Sequence, residues 1–228
     1  TILLKKFKID EKEFVTAKEI KKLCIEFNFD YTNLVRYFLR RGYLIRIFNG
    51  IFNIRHPSDI LEGYTKYTHH ELVAHGLKLK GIHNWHFGLH TALKLNNLTH
   101  EYFTIDEVVN DTISRPTPIK IDNHKFKFIK ISKNLINLGV ITDGIIRYSD
   151  SEKTILDFIY LWKAKGIPPK KILFDISDWV GNISKNKIEK YSEVYPNSVK
   201  KIVNNYMGIW CCFNIFRLIS FSKKTYIF

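Results

Sequence analysis

Between residues 17 and 54 the spacing of apolar and polar positions changes period once, and the change predicts a compact unit. In AKEIKKLCIEF, Ile20, Leu23 and Cys24 recur at helical spacing. Thr16 precedes them and Glu19 follows it by three residues, the signature of a capping box. This predicts a helix over Ala17–Phe27. Asn28, Phe29 and Asp30 interrupt it. A second helix, capped by Asp30 or Thr32, is expected to run to about Arg41 and end at Gly42. At roughly 100° per residue, Leu34, Val35, Phe38 and Leu39 fall on one side and pack on the first helix. Asn33, Arg36, Tyr37 and Arg40 fall on the other. The pattern then alternates in YLIRIFNGIFNIR. Asn49-Gly50 predicts a type I′ hairpin turn pairing Phe48 with Ile51, Ile47 with Phe52, Arg46 with Asn53 and Ile45 with Ile54. Ile45, Ile47, Phe52 and Ile54 would then seal the small core, leaving Arg46, Phe48, Ile51, Asn53 and Arg55 outside.

Helix, break, helix with a polar face, then hairpin is the order of a winged helix-turn-helix. The polar face carries an amide, two guanidinium groups and a phenol, which can read base edges or hold phosphate in a major groove. A wing lies along the backbone or in the minor groove. The candidate DNA contacts are therefore Thr32, Asn33, Arg36, Tyr37, Arg40, Arg41, Arg46, Asn49 and Arg55. The plainer alternatives are a solvated helix face and a structural hairpin.

Pro57 and Ser58-Asp59 mark a boundary, so residues 1–57 form the first expected domain. Beyond it the expected fold is α+β, with a mixed α/β domain over 58–206 holding a small sheet and several helices. One helix is expected over Asp59–Lys78, its end marked by His75-Gly76-Leu77. A short helix through Leu89, Ala92, Leu93 and Leu95 stops at Asn96-Asn97. Strands are expected at 103–105, 118–121 and 125–131, with a further short pair at 139–141 and 144–148. Ser149 and Glu152 have capping-box spacing ahead of an apolar helix through Ile155, Leu156, Phe158 and Ile159, which should be central. Two more helices are expected over 169–180 and 184–205. Residues 207–228 turn abruptly apolar. They read as a core or dimer-contact element ahead of an aberrant end or a membrane segment, since about 20 residues are needed to span.

Charge agrees with a polyanionic partner. The formal net charge is +14 over 228 residues, of which 12 basic and 6 acidic residues fall in 1–57. Such a chain is attracted to nucleic acid by counterion release. The opening ILLKKFKI does not read as a signal peptide. Three cysteines (Cys24, Cys211, Cys212) form no framework or CxxC motif, which suits a reducing cytoplasm.

Enzyme chemistry finds little purchase. In HHELVAH, His70 and His75 are five apart, about 140° around a helix, so they cannot share a zinc as an i, i+4 pair does. His86 and His90 have the better spacing, with His83 or His100 as third ligand, but no acid lies between them. Asp150, Glu152 and Lys153 are contiguous at a helix start, where capping explains them better than a nuclease site does. There is no P-loop, dinucleotide fingerprint or Gly-x-Ser-x-Gly. The expectation is no catalysis, no cofactor and no metal.

The segments RRGYLIRIFNGIFNI, FGLHTALKLNNL and RYSDSEKTILDFIY, within residues 14–206, resemble the AbiEi family of antitoxins and transcriptional regulators. That resemblance implies a repressor of its own operon, with a nucleotidyltransferase-like toxin linked functionally and without required contact. By position it gives the DNA role to Asn33, Arg36, Tyr37, Arg40 and Arg46, and antitoxin activity to the second domain. The expected partner is double-stranded operator DNA, bound by a homodimer or by several copies, with no membrane. Two alternatives stay open: an antitoxin that holds a toxin by protein contact, and an RNA-binding winged-helix module.

Overall fold

The computed structural model describes residues 2–63, 66–180 and 183–205; the apolar tail over 207–228 lies outside them. The chain is mixed α+β with two sheets. Its first part runs α1 (Ile2–Ile9), β1 (Phe14–Thr16), α2 (Ala17–Glu26), α3 (Tyr31–Arg40), β2 (Leu44–Phe48) and β3 (Ile51–Ile54). Thr16 and Glu19 make the expected capping box, and Asp30 caps α3 by accepting from the Asn33 amide at 2.7 Å. Ile20, Cys24, Val35 and Phe38 pack with Leu3, Phe7 and Phe52 into one core. The sheet order is β1-β3-β2, all antiparallel.

The hairpin departs from its expected register. Phe48 pairs with Ile51, but Ile47 is bulged out, so Arg46 faces Phe52, Ile45 faces Asn53 and Leu44 faces Ile54. The turn is not type I′, because at the tip only Gly50 has positive φ, at 73°. The Gly50 carbonyl instead accepts from the Ala17 amide at 2.7 Å, tying the tip to the start of α2. Both faces of the hairpin are consequently covered. Leu44, Phe52 and Ile54 close the helical core, while Ile47, Phe48 and Ile51 join a second core with residues 72–128. The expected solvent face holding Phe48, Ile51 and Asn53 is thus a buried one.

The rest runs α4 (Pro57–Leu61), α5 (His69–Leu79), β4 (Trp85–Phe87), α6 (Leu89–Leu95), β5 (Ile105–Asn110), β6 (Ile119–Ile121), β7 (His124–Lys130), α7 (Lys133–Ile136), β8 (Val140–Asp143), β9 (Ile146–Ser149), α8 (Ser151–Ala164), α9 (Pro169–Ile176) and α10 (Lys185–Ser192). A further helical stretch covers 197–205. The strands make one mixed six-stranded sheet, β6-β7-β5-β4-β9-β8, with β5–β7 and β4–β9 parallel. Alternation on β5 serves two cores: Val108 faces α5 and the hairpin, Val109 faces α6 and α8.

Several expected boundaries move. The helix over Asp59–Lys78 is two helices; a second capping box, Thr68 with Glu71, starts α5. The strand expected at 103–105 begins at Ile105 and runs to Asn110. Asp150, rather than Ser149, caps α8 by accepting from the Lys153 amide at 2.8 Å. The helix over 184–205 breaks around Pro196, which cannot donate a helical hydrogen bond.

Gly76 sits mid-helix rather than at an end, because α5 lies directly on the hairpin. A Cβ there would stand 2.4 Å from Ile47 Cγ2 and 2.9 Å from Phe48 Cε2. Ile47 is β-branched and yields little. Gly76→Ala would gain about 1 kcal/mol of helix propensity in open solvent. Here overpacking of about 1–3 kcal/mol should outweigh it and lower stability. A urea midpoint above wild type would contradict this close approach.

Candidate nucleic-acid interface

On α3 the expected polar face is fully formed. Thr32, Asn33, Arg36, Tyr37 and Arg40 are exposed, as is Arg41 just beyond. Two pairs organise it: Arg36 Nη1 donates to Asn33 Oδ1 at 3.3 Å, and the Arg41 guanidinium lies over the Tyr37 ring at 5.8 Å. Such contacts limit the rotamers of long side chains without removing their outward donors. Lys18, Lys21 and Lys22 on α2 are also exposed. The helix is held rigidly from behind by Val35 and Phe38, which are buried.

The hairpin residues divide. Arg46 is exposed, stacked over Phe52 at 5.7 Å, and shares the cross-strand pair with it on the helical side of the sheet. It therefore belongs with the α3 face. Asn49 is exposed at the tip, but the flanking Phe48 and Ile51 are buried, Phe48 packing on Phe128 at 5.7 Å. Arg55 is half-buried in the seam with Glu13, Ile45, Asn53, Lys66 and Tyr67. There Glu13 is hydrogen-bonded by Lys66 and Tyr67. The nine residues are thus not one surface: seven accompany α3, and Asn49 and Arg55 lie elsewhere on the hairpin.

The charged groups around α8 turn inward. Lys153 and Asp157 are both inaccessible; Lys153 Nζ donates to the two Asp157 oxygens at 2.7 Å and to Tyr195 Oη at 3.1 Å. Tyr195 donates to Asp157 Oδ1 at 2.7 Å. Burial alone would raise the Asp157 carboxyl, but Lys153 beside it holds it below the ordinary value. Burial and Asp157 push the Tyr195 phenol well up. Asp150 and Glu152 both receive Lys187, at 2.9 and 2.8 Å.

His86 and His90 do not converge. His86 is buried on β4, 3.7 Å from Asp157 Oδ2, whereas His90 on α6 meets Glu107 Oε2 at 2.8 Å. Burial holds the His86 imidazole below its ordinary value, with Lys153 and Arg147 adding to this and Asp157 opposing it. The native state thus keeps His86 neutral, while the unfolded chain binds a proton near pH 6.5. Below that value the unfolded state carries more protons, so stability falls as pH drops from 7 to 5. His86→Leu, which cannot titrate, should show a shallower loss across that window in denaturant melts. An equal slope would remove His86 as the cause.

A grouping that no sequence spacing announces joins the start of α5 to β5. One ring nitrogen each of His69 and His70 and one Asp106 oxygen fall within 4.8 Å of one another. Asp106 is on β5, too distant in sequence for a spacing rule to link it to the histidines. Burial would raise its carboxyl, but the two imidazoles outweigh burial and hold it well below the carboxylate range.

No family model matches the chain, and no curated protein does. Among solved structures, the RV2827C protein from Mycobacterium tuberculosis is similar, with a TM-score of 0.58 and 12% identity over 91% of this chain and 75% of that one. That likeness is one of fold. No helix among the described residues is long and apolar enough to cross a membrane.

Proposed function

We propose that the chain is a sequence-specific DNA-binding regulator whose first unit acts as a winged helix-turn-helix. One observation carries this reading: the six outward residues of α3 and its C-cap are all polar and include three arginines, on a helix anchored by a short break to α2. Arg36 and Arg40 supply forked donors suited to guanine edges or phosphates, and Asn33 supplies the amide that pairs with adenine. Arg46 flanks the helix as a backbone contact. The hairpin acts less as a free wing than as a rigid joint, since its other face is packed on the large sheet. The recognition helix is thereby held in a fixed orientation to residues 69–130.

The resemblance to AbiEi proteins supports autorepression of a toxin–antitoxin operon, with the antitoxin role in the second part. A pair of chains on an inverted repeat would give half-sites about 10–10.5 bp apart, or a multiple of that. Hydroxyl-radical footprinting on the DNA upstream of the chain's own coding sequence tests this. Protected patches at that spacing are expected; uniform cleavage at saturating protein would sink the reading.

A further inference from the structure

We propose that His69, His70 and Asp106 form a binding site for one divalent transition-metal ion, with Zn2+ the best match. This is independent of the DNA-binding reading and departs from the expectation of a metal-free chain. The geometry is that of a ligand set. His69 Nε2 stands 3.4 Å from Asp106 Oδ2, and His70 Nε2 stands 3.3 Å from Asp106 Oδ1. These two distances run to different carboxylate oxygens, and one ligand atom from each residue lies within 4.8 Å of the others; a tetrahedral zinc, with edges of roughly 3.3–3.4 Å, would draw both nitrogens onto one oxygen by a small side-chain adjustment. His70 Nε2 is buried and, although 3.3 Å from Asp106 Oδ1, makes no aligned hydrogen bond among the described residues, a condition that buried polar atoms rarely tolerate. A metal would satisfy it.

The surroundings fit. Thr91 Oγ1 donates to Asp106 Oδ1 at 3.2 Å and so orients the carboxylate, the support that metal-binding acids usually have. His70 packs on Phe87, with ring centres 4.5 Å apart. His124 stacks on His69 at 3.7 Å and 13°, too nearly parallel to share the same ion, so it covers the site. Three protein ligands leave the fourth position for water. The positive end of α5 disfavours a cation, but Asp106 and the capping Glu71 carboxylate counter it. Two imidazoles and one carboxylate select zinc-like ions over Mg2+ or Ca2+. A bound ion would clip the start of α5, the helix on which the hairpin rests, to the middle of the large sheet.

Untagged full-length chain, dialysed against chelator, should be titrated with Zn2+ by calorimetry and with Co2+ by visible absorption. The expected result is one equivalent bound, tetrahedral Co2+ bands and a Tm raised by Zn2+. Asp106→Asn and His70→Gln should each weaken binding at least about tenfold. His100→Gln, exposed and outside the cluster, should leave it unchanged. Circular dichroism without metal identifies any variant that fails to fold, and His69→Gln then takes its place. Absence of stoichiometric binding by wild type, or binding that survives the cluster variants, overturns the proposal.

Discussion

Replacing Lys153 with Met should lower the unfolding free energy by about 3–5 kcal/mol, because it strands the Asp157 carboxylate in a site with no access to water. The ammonium satisfies both carboxylate oxygens and the Tyr195 hydroxyl. Among the described residues nothing else cationic lies as close: His86 is 3.7 Å away and held neutral by burial. The paired change Lys153→Met with Asp157→Leu removes both charges together and should recover most of the loss, since a well-packed apolar pair replaces an ion pair at little net cost. Tyr195→Phe, which deletes one hydrogen-bonding group from the network, should cost only about 1–2 kcal/mol. Denaturant melts at pH 7 order the three variants. A Lys153→Met protein within 1 kcal/mol of wild type would mean that the network contributes little. Of the charged letters of RYSDSEKTILDFIY, Lys153 and Asp157 pair with each other in the core, and Asp150 and Glu152 pair with Lys187.

Arg36→Ala and Arg40→Ala should each weaken binding to the native upstream DNA by roughly 10–100-fold, the effect of about 1–3 kcal/mol for a good base-edge contact. If either arginine contacts phosphate instead, affinity falls equally for all sequences and the salt slope shrinks by about one. The fold should be untouched, since both side chains are exposed. Arg46→Ala should show the phosphate-type response. Asn49→Ala and Arg55→Ala should have little effect, because the tip flanks buried residues and Arg55 lies in the seam. Anisotropy titrations at several salt concentrations separate these cases. Normal affinity in both α3 variants would exclude this helix as the reader.

What could be read from the letters followed how local the cause was. The caps Thr16 and Asp30, the polar stripe of α3 and the apolar run of α8 depend on neighbours within four residues, and all three are in the structure. The bulge at Ile47 was not legible. It depends on the Gly50 carbonyl being taken by Ala17 and on Phe48 being drawn into the second core, both long-range effects. The strand Trp85–Phe87 is three residues long and buried throughout, so no alternation announces it, although it sits mid-sheet. In the sequence Gly76 reads as a helix end, because a packing glycine and a terminating glycine use the same letter. The His69, His70 and Asp106 grouping needs the sheet to bring β5 beneath α5.

Sequence-specific recognition is measured by the ratio of two affinities. The purified chain is titrated against duplex from upstream of its own coding sequence and against scrambled duplex of equal length, at about 150 mM salt to suppress non-specific attraction. A sequence-specific regulator predicts a ratio of roughly 10³ or more. Equal, weak and strongly salt-dependent binding to both would contradict it, leaving the +14 net charge as the whole of the attraction.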